Sequence, residues 1–268
     1  MSASLRVQTL GMFRVWLDDK PLPSAVWRRE KAQRLFQFLI TARLNDSHQM
    51  LPKERITAEL WPALDAGRAD RDFKVALNAL NDALEPARPS RSLSTFIARH
   101  GLAYGLDPDA TIAIDAEEFR RGLRDAARLE RDDSAAAIDA YRDALDRYAG
   151  DYLPDALYED WASLERERLQ TLYLTGAMRL AALLLDEGGY QEAIHLCQSV
   201  LMMDRYWEEA YRLMMLSHAL RGNRPLALRV YEGCRAALEE GLDLLPMAET
   251  TELYERIWRG ELPLPGER

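Results

Sequence analysis

Cysteine, histidine and long apolar runs are scarce in this sequence, and each scarcity removes a class of function. The two cysteines, Cys197 and Cys234, stand on separate helical patterns and outside any Cys-x-x-Cys arrangement. That excludes a disulfide framework and a cysteine-rich zinc site, and both read as small core residues in a reducing cytoplasm. The four histidines, His48, His100, His195 and His218, lack the mutual spacing of a metal site, so no metal is expected. No run of 18 or more apolar residues occurs, and the opening MSASLRVQTLG lacks the basic, hydrophobic and small-residue order of a signal peptide. The expectation is a cytoplasmic chain with no membrane contact. There is no Gly-x-x-x-x-Gly-Lys-Ser/Thr loop and no nucleophile motif. Acids such as Glu159, Asp160, Glu165 and Glu167 read as charged helix faces rather than a catalytic carboxylate pair. The chain therefore reads as non-catalytic and without a cofactor.

What is present is a chain of 268 residues, nearly half of them apolar, which suits two globular domains of ordinary size. Its net charge of −9 is unevenly spread. Residues 1–110 carry 16 Lys and Arg against 13 Asp and Glu, a balance of +3; residues 111–268 carry 19 against 31, a balance of −12. A phosphate-binding surface belongs to the first part, because the second repels DNA within a Debye length.

The periodicity divides the chain in the same way. LRVQTLGMFRVWL alternates, with Leu5, Val7 and Thr9 on one side and Phe13, Val15 and Leu17 on one side after Gly11, so two short strands are expected, with Asp18, Asp19 and Lys20 turning after them. Leu35, Phe38, Leu39 and Ala42 then follow a helical spacing. A short helix runs from Pro52 to Trp61, bounded by Pro62. A third, RADRDFKVALNALNDALEP, gathers Phe73, Ala76, Leu77, Leu80 and Leu84 on one face and Arg68, Arg71, Val75, Asn78 and Asp82 on the other. STFIARHGLAYGLDPD reads as a β-hairpin hinged at His100 and Gly101. Strands, three helices and a hairpin make a winged helix over residues 1–112, its second and third helices forming a helix-turn-helix.

Beyond Asp115 every segment reads as helical, and the second domain is taken to run over residues 113–268. EGGYQEAIHLCQSVL matches RGNRPLALRVYEGCR with Gly188 against Gly222, Ala193 against Ala227 and Ile194 against Leu228, an offset of 34, the tetratricopeptide period. RDDSAAAIDAYRDAL is an earlier copy, separated by an insertion that holds YAGDYLPDALYEDW. The alanines fall where paired helices approach closely. The fold class is mainly α: an α+β winged helix followed by an all-α domain of tetratricopeptide-like repeats.

The outward face of the third helix mixes arginine, asparagine and a bare valine. In a major groove, Arg pairs with guanine, Asn with adenine, and an aliphatic group meets the thymine methyl. The residues expected to touch DNA are Arg68, Arg71, Lys74, Val75 and Asn78 in this helix, Lys53 and Arg55 opening the second helix, and Arg99 and His100 at the hairpin tip. The same residue types also suit an ordinary solvated face. The alternative reading is therefore an adaptor whose winged helix and repeats both bind protein, with a small ligand on the concave repeat surface.

Over nearly its full length the chain resembles the SARP-type transcriptional regulators, in which an OmpR-like winged helix precedes a bacterial transcriptional activation domain built of tetratricopeptide repeats. The resemblance rests on Trp27, Arg28, Lys31 and Leu35 in the first helix, on HGLAYGLD as the wing, on YAGDYLPDALYEDWASLERERL, and on LDLLPMAETTELYERI near the end. It implies double-stranded promoter DNA as one partner, read by the third helix and wing, and RNA polymerase or another protein as a second, contacted through the repeats. Repeated promoter sites would suit an oligomer. Two departures stand out. The Leu-Arg-Arg-x-Leu run of relatives is Leu80, Asn81, Asp82, Ala83, Leu84 here, and many relatives continue into a nucleotide-binding domain, whereas these 268 residues hold no Gly-x-x-x-x-Gly-Lys-Ser/Thr loop and end soon after Trp258, so no ATP-driven switching is expected within them.

Overall fold

The computed structural model describes residues 3–27, 30–46, 50–89 and 92–262; Arg28 and His48 lie outside them. Packing divides the chain into two compact units, one of Met1–Arg121 with Asp146–Gln170 and one of Gly122–Leu145 with Thr171–Arg268.

The first unit opens with β1 (Ser4–Gln8) and β2 (Arg14–Leu17), antiparallel, their alternation burying Leu5, Val7 and Val15. Asp18 and Asp19 both take positive φ, 47° and 62°, the backbone of a type I′ hairpin turn. The turn leads into β3 (Lys20–Pro21). Helix α1 (Glu30–Asn45) follows, then β4 (Leu51–Pro52), α2 (Lys53–Leu60) and α3 (Ala66–Leu84). Strands β5 (Ile97–His100) and β6 (Ala103–Leu106) form the expected hairpin, which β4 extends in the order β4-β6-β5. The sequence reading passed from that hairpin straight into helix. The structure places a further strand, β7 (Thr111–Ile114), parallel to β1, completing a sheet in the order β3-β2-β1-β7. Thr-Ile-Ala-Ile carries the alternation of a strand, but four residues give too short a pattern to stand out before a helix.

Helix α1 is amphipathic by its spacing, yet Phe36, Gln37, Ile40 and Thr41 are buried along with Leu35, Phe38 and Leu39. It is covered on all sides. The Trp27 ring stacks on Phe36 with centroids 6.0 Å apart, α3 packs along it, and residues 146–161 close the rest. Within that segment the Tyr152 side chain is fully buried, its hydroxyl 2.8 Å from Thr41 Oγ1. Thr41 donates its own proton to the Gln37 carbonyl at 2.9 Å, so Tyr152 is the donor in the pair. Trp161 packs edge-on against Phe38 at 5.4 Å, and Glu159 accepts from the Arg34 guanidinium at 2.6 Å. Arg166 donates to the Tyr152 and Ala156 carbonyls, each at 2.9 Å, which fixes the irregular backbone. A cut after residue 112 leaves this segment with the repeats; its packing places it in the first unit.

The same segment meets the N-terminal strands. Leu153 N donates to the Thr9 carbonyl at 2.8 Å and Gly11 N to the Asp151 carbonyl at 3.0 Å. Gly11 has φ +79°, and a Cβ there would stand 2.5 Å from the Ala149 carbonyl oxygen, so only glycine fits. Helix α4 (Asp115–Leu129) starts from Asp115. That carboxylate accepts from Thr9 N, Thr9 Oγ1, Leu10 N and Ala116 N at 2.6–2.9 Å. Burial holds its pKa above the usual carboxylate value, against the pull of those donors.

The second unit contains the rest of α4, α5 (Ser134–Leu145), the later part of α6 (Asp160–Asp186), α7 (Tyr190–Met203), α8 (Glu208–Leu220), α9 (Arg224–Leu242) and α10 (Ala248–Arg259). The repeat period recurs in the backbone. Gly188 and Gly222, 34 residues apart, take φ of 80° and 76° after α6 and α8. Gly189 N donates to the Leu184 carbonyl and Asn223 N to the His218 carbonyl, at 2.6 and 2.8 Å, closing both helices with the same left-handed cap. Ala137, Ala193 and Ala227 are fully buried at equivalent places. Cys197 and Cys234 are free and buried, and burial pushes both thiols up to about 12, so they act as small core residues.

Tyr152→Ala should cost about 3–5 kcal/mol, the range for deleting a large buried ring. Tyr152→Phe should cost only about 1 kcal/mol, the net worth of one hydrogen bond. Urea unfolding at constant m-value measures both; equal losses would mean that the hydroxyl, and not the packing, anchors this segment.

Candidate nucleic-acid interface

Helix α3 has a start signal in Asp65, whose side chain accepts from Arg68 N at 2.9 Å, an N-cap of the preferred type. Phe73, Ala76, Leu80 and Leu84 are buried, as their spacing requires, and Leu77 is half-buried. Arg68, Arg71, Lys74, Val75 and Asn78 are all exposed on the other side, with Asp82 among them. Val75 is 42% exposed, an aliphatic group with no core to fill. The sequence reading of the two faces holds.

What the sequence did not expose is how the cations are held. The Asp70 carboxylate receives Lys53 Nζ at 2.6 Å through one oxygen and Lys74 Nζ at 2.7 Å through the other. One acid thus holds a lysine from the start of α2 beside a lysine from α3. Its Lys53 and Lys74 hydrogen bonds lower Asp70 from the usual 3.8 to about 2. Asp72 binds Lys31 of α1 at 2.5 Å, and Arg68 leans back onto Asp65 at 3.2 Å. Among the described residues, Arg55, Arg71 and Asn78 make no side-chain hydrogen bond or ion pair. The Asp70–Lys74 pair was legible as an acid four residues before a base; its link to Lys53 depends on tertiary packing.

The wing is tied to the same helix. Gly101 takes φ +63° and His100 pairs with Ala103, a two-residue turn with glycine first. Leu102 in that turn accepts from Lys53 N at 2.8 Å. Arg99 Nε donates to the Gly101 carbonyl at 3.1 Å, and its guanidinium lies 5.6 Å from the Tyr104 ring centre. Tyr104 packs edge-on against Phe73, the buried aromatic of α3, at 4.9 Å. At the far end of α3, Glu85 accepts from Thr95 N at 2.8 Å. His100 is exposed beside Arg99. The start of α2, the outward face of α3 and the wing turn are therefore joined by specific contacts, and the nine expected residues all fall on these three elements. Among the described residues no group of three or more His, Cys, Asp or Glu could hold a metal ion, and no helix is long and apolar enough to cross a membrane.

Comparison with known proteins defines the class. The family described as bacterial transcriptional activator domain matches residues 114–258, just over half of the chain, and the chain belongs to that family. With a winged helix ahead of this domain, the order of parts is that of the SARP-type transcriptional regulators. Among solved structures the chain is similar to Mycobacterium tuberculosis EmbR, solved in complex with a low-affinity phosphopeptide, at 20% identity and a TM-score of 0.80, covering 98% of this chain and 67% of that one. It is similar at 15% identity and a TM-score of 0.42 to the C-terminal TPR-containing domain of a Plasmodium falciparum FK506-binding protein, covering 55% of this chain and 90% of that one. The TPR2B domain of yeast Sti1 follows at 18% identity and 0.37, with 55% and 98% covered. A search of curated proteins gives no match.

The lowered pKa of Asp70 fixes a pH dependence. An acid with a depressed folded value stabilises the fold above its unfolded pKa, and that contribution disappears as pH falls through 3.8 towards about 2. Asp70→Asn should therefore show a shallower loss of stability across that window than the wild type. Superimposable acid limbs in urea titrations would remove the triad from the account.

Proposed function

We propose that this protein is a sequence-specific DNA-binding activator of transcription. It reads promoter DNA with α3 and the wing and contacts RNA polymerase or another regulatory protein through its helical repeats. The observation that carries the reading is the exposed Arg71, Val75 and Asn78 triplet on a capped second helix of a helix-turn-helix. Each of the three offers a major-groove chemistry, and neither polar side chain is committed elsewhere among the described residues. Lys53, Lys74 and Arg55 act on phosphate, and Arg99 with His100 on the backbone or minor groove beside the wing. The +3 balance of residues 1–110 supports that assignment, and the −12 balance of residues 111–268 keeps the repeats off phosphate. The protein carries out no reaction in this reading, uses no cofactor, and works in the cytoplasm on chromosomal DNA, where repeated sites favour more than one copy.

Removing residues beyond Asp115 is not a clean test, because it strips Tyr152 and Trp161 from α1. Point variants of the full chain avoid this. Arg71→Ala and Asn78→Ala should relax base preference, each bidentate contact being worth roughly 1–3 kcal/mol of discrimination. Lys74→Ala should weaken all sequences alike and lower the salt slope by about one. Selection on random DNA beside a salt titration reads both. The same consensus from wild type and both base-reading variants would displace the reading face, and salt-independent binding, or none, would favour a protein-binding adaptor.

A further inference from the structure

One edge of the second unit is apolar where a water-facing loop would ordinarily be polar. Met202 and Met203 end α7, Leu242 ends α9, and Leu244, Leu245 and Met247 fill the loop into α10; all six are exposed, Met202 to 81% and Leu245 to 74%. Two contacts bring these segments together. A Cβ on Gly241 would run into the Tyr206 ring, and Arg205 reaches Glu240 at 3.6 Å, so the α7–α8 loop lies against the end of α9. The α9–α10 loop is fixed in turn. Asp243 takes the left-handed conformation at φ 55°. Glu208 accepts from Met247 N at 2.9 Å and Thr250 Oγ1 at 2.7 Å, and Arg212 donates to Thr250 Oγ1 at 3.0 Å. The leucines are displayed by a braced loop, so little ordering is needed when something covers them.

The surroundings state what kind of molecule that is. Residues 202–209 and 239–249 contain seven acids and one base, Arg205. Glu209, Glu239, Glu240, Asp243 and Glu249 are exposed on the same two segments as the apolar residues. A second copy placed by a twofold would set these acids against their own counterparts, at a cost. An anionic membrane surface is repelled for the same reason. We propose that this edge is a docking surface for an amphipathic helix of another protein, one that presents aliphatic side chains flanked by Lys and Arg. Methionine and leucine adapt to such a face, and the acids select its charge. The proposal rests on the reading that the repeats contact protein, and it names where and with what chemistry.

The test uses the full chain and a labelled helical peptide of about 18 residues, leucine on one face and lysine on the other, followed by fluorescence anisotropy. A scrambled peptide of identical composition is the control. The amphipathic peptide should bind about tenfold or more tighter than the scrambled one. The double substitution Leu244→Ser with Leu245→Ser, which leaves net charge unchanged, should abolish that advantage. Glu249→Lys should weaken both peptides. Equal binding of the two peptides, or unchanged binding by the serine variant, overturns the proposal. So does self-association of the wild type in sedimentation that the serine variant loses, or binding to phosphatidylserine vesicles that it loses. The titration contains no DNA and no polymerase, so its failure leaves the transcriptional reading standing, and failure of the DNA selection leaves this surface standing.

Discussion

A phenol hydroxyl taken fully out of water must find a partner or cost about 1–3 kcal/mol, and the buried hydroxyl of Tyr152 finds one on Thr41 of α1. That pair matters because α1 is the element on which the first unit is built. Its sides are taken by the Trp27 and Phe13 rings, by α3, and by residues 146–161. A helix buried all round leaves its neighbours no alternative seat. With α3 held by Phe73, Ala76, Leu80 and Leu84, the face carrying Arg71, Val75 and Asn78 is the one left to solvent. The orientation of this exposed face is thus a consequence of core packing, set by a segment distant in sequence.

The acids of α3 look misplaced on a surface proposed to meet phosphate until their partners are counted. Asp65 caps the helix, Asp70 holds Lys53 with Lys74, and Asp72 holds Lys31. Exposed ion pairs of this kind contribute roughly 0–1 kcal/mol each, too little to explain them as stabilisers. Their effect is positional. Lys53 and Lys74 would otherwise be long, freely rotating side chains from different helices, and a shared carboxylate confines both ammonium groups to one place. Asp82 has no such role and stands exposed on the same face, where, on the proposed reading, it would oppose phosphate. A residue of that sign there would narrow the sequences or geometries of DNA that fit, since any backbone path close to it is penalised.

Much of this was legible in the sequence. Helical periodicity separated the two faces of α3 correctly because one face is buried and the other is not, and the wing followed from two apolar runs about a glycine. The repeat period was legible because Gly188, Gly222, Ala193 and Ala227 each answer a local demand, a left-handed cap or a close helix approach, that recurs at 34 residues. The rest depended on contacts that no local pattern carries. Tyr152 reads as part of an insertion between two repeat copies, and that it belongs with α1 follows only from packing over more than a hundred residues. Strand β7 was too short to announce itself, and the bond between Lys53 and Asp70 exists only because α2 and α3 pack together.

The split in charge has a consequence for how partners are chosen. On the proposed reading, an acidic domain joined to a DNA-binding one avoids the ligand of its neighbour, but the acids also attract every basic protein segment, and such segments are themselves drawn to DNA. Charge alone therefore cannot tell a proper partner from any polycation. Apolar area can, because phosphate offers nothing to an aliphatic side chain. Leu244, Leu245 and Met202, exposed on segments rich in acids, supply a contact that DNA cannot imitate. A basic amphipathic helix that prefers this edge does so for its leucines, and its charges serve mainly to bring it there quickly and to keep a second copy of this chain away.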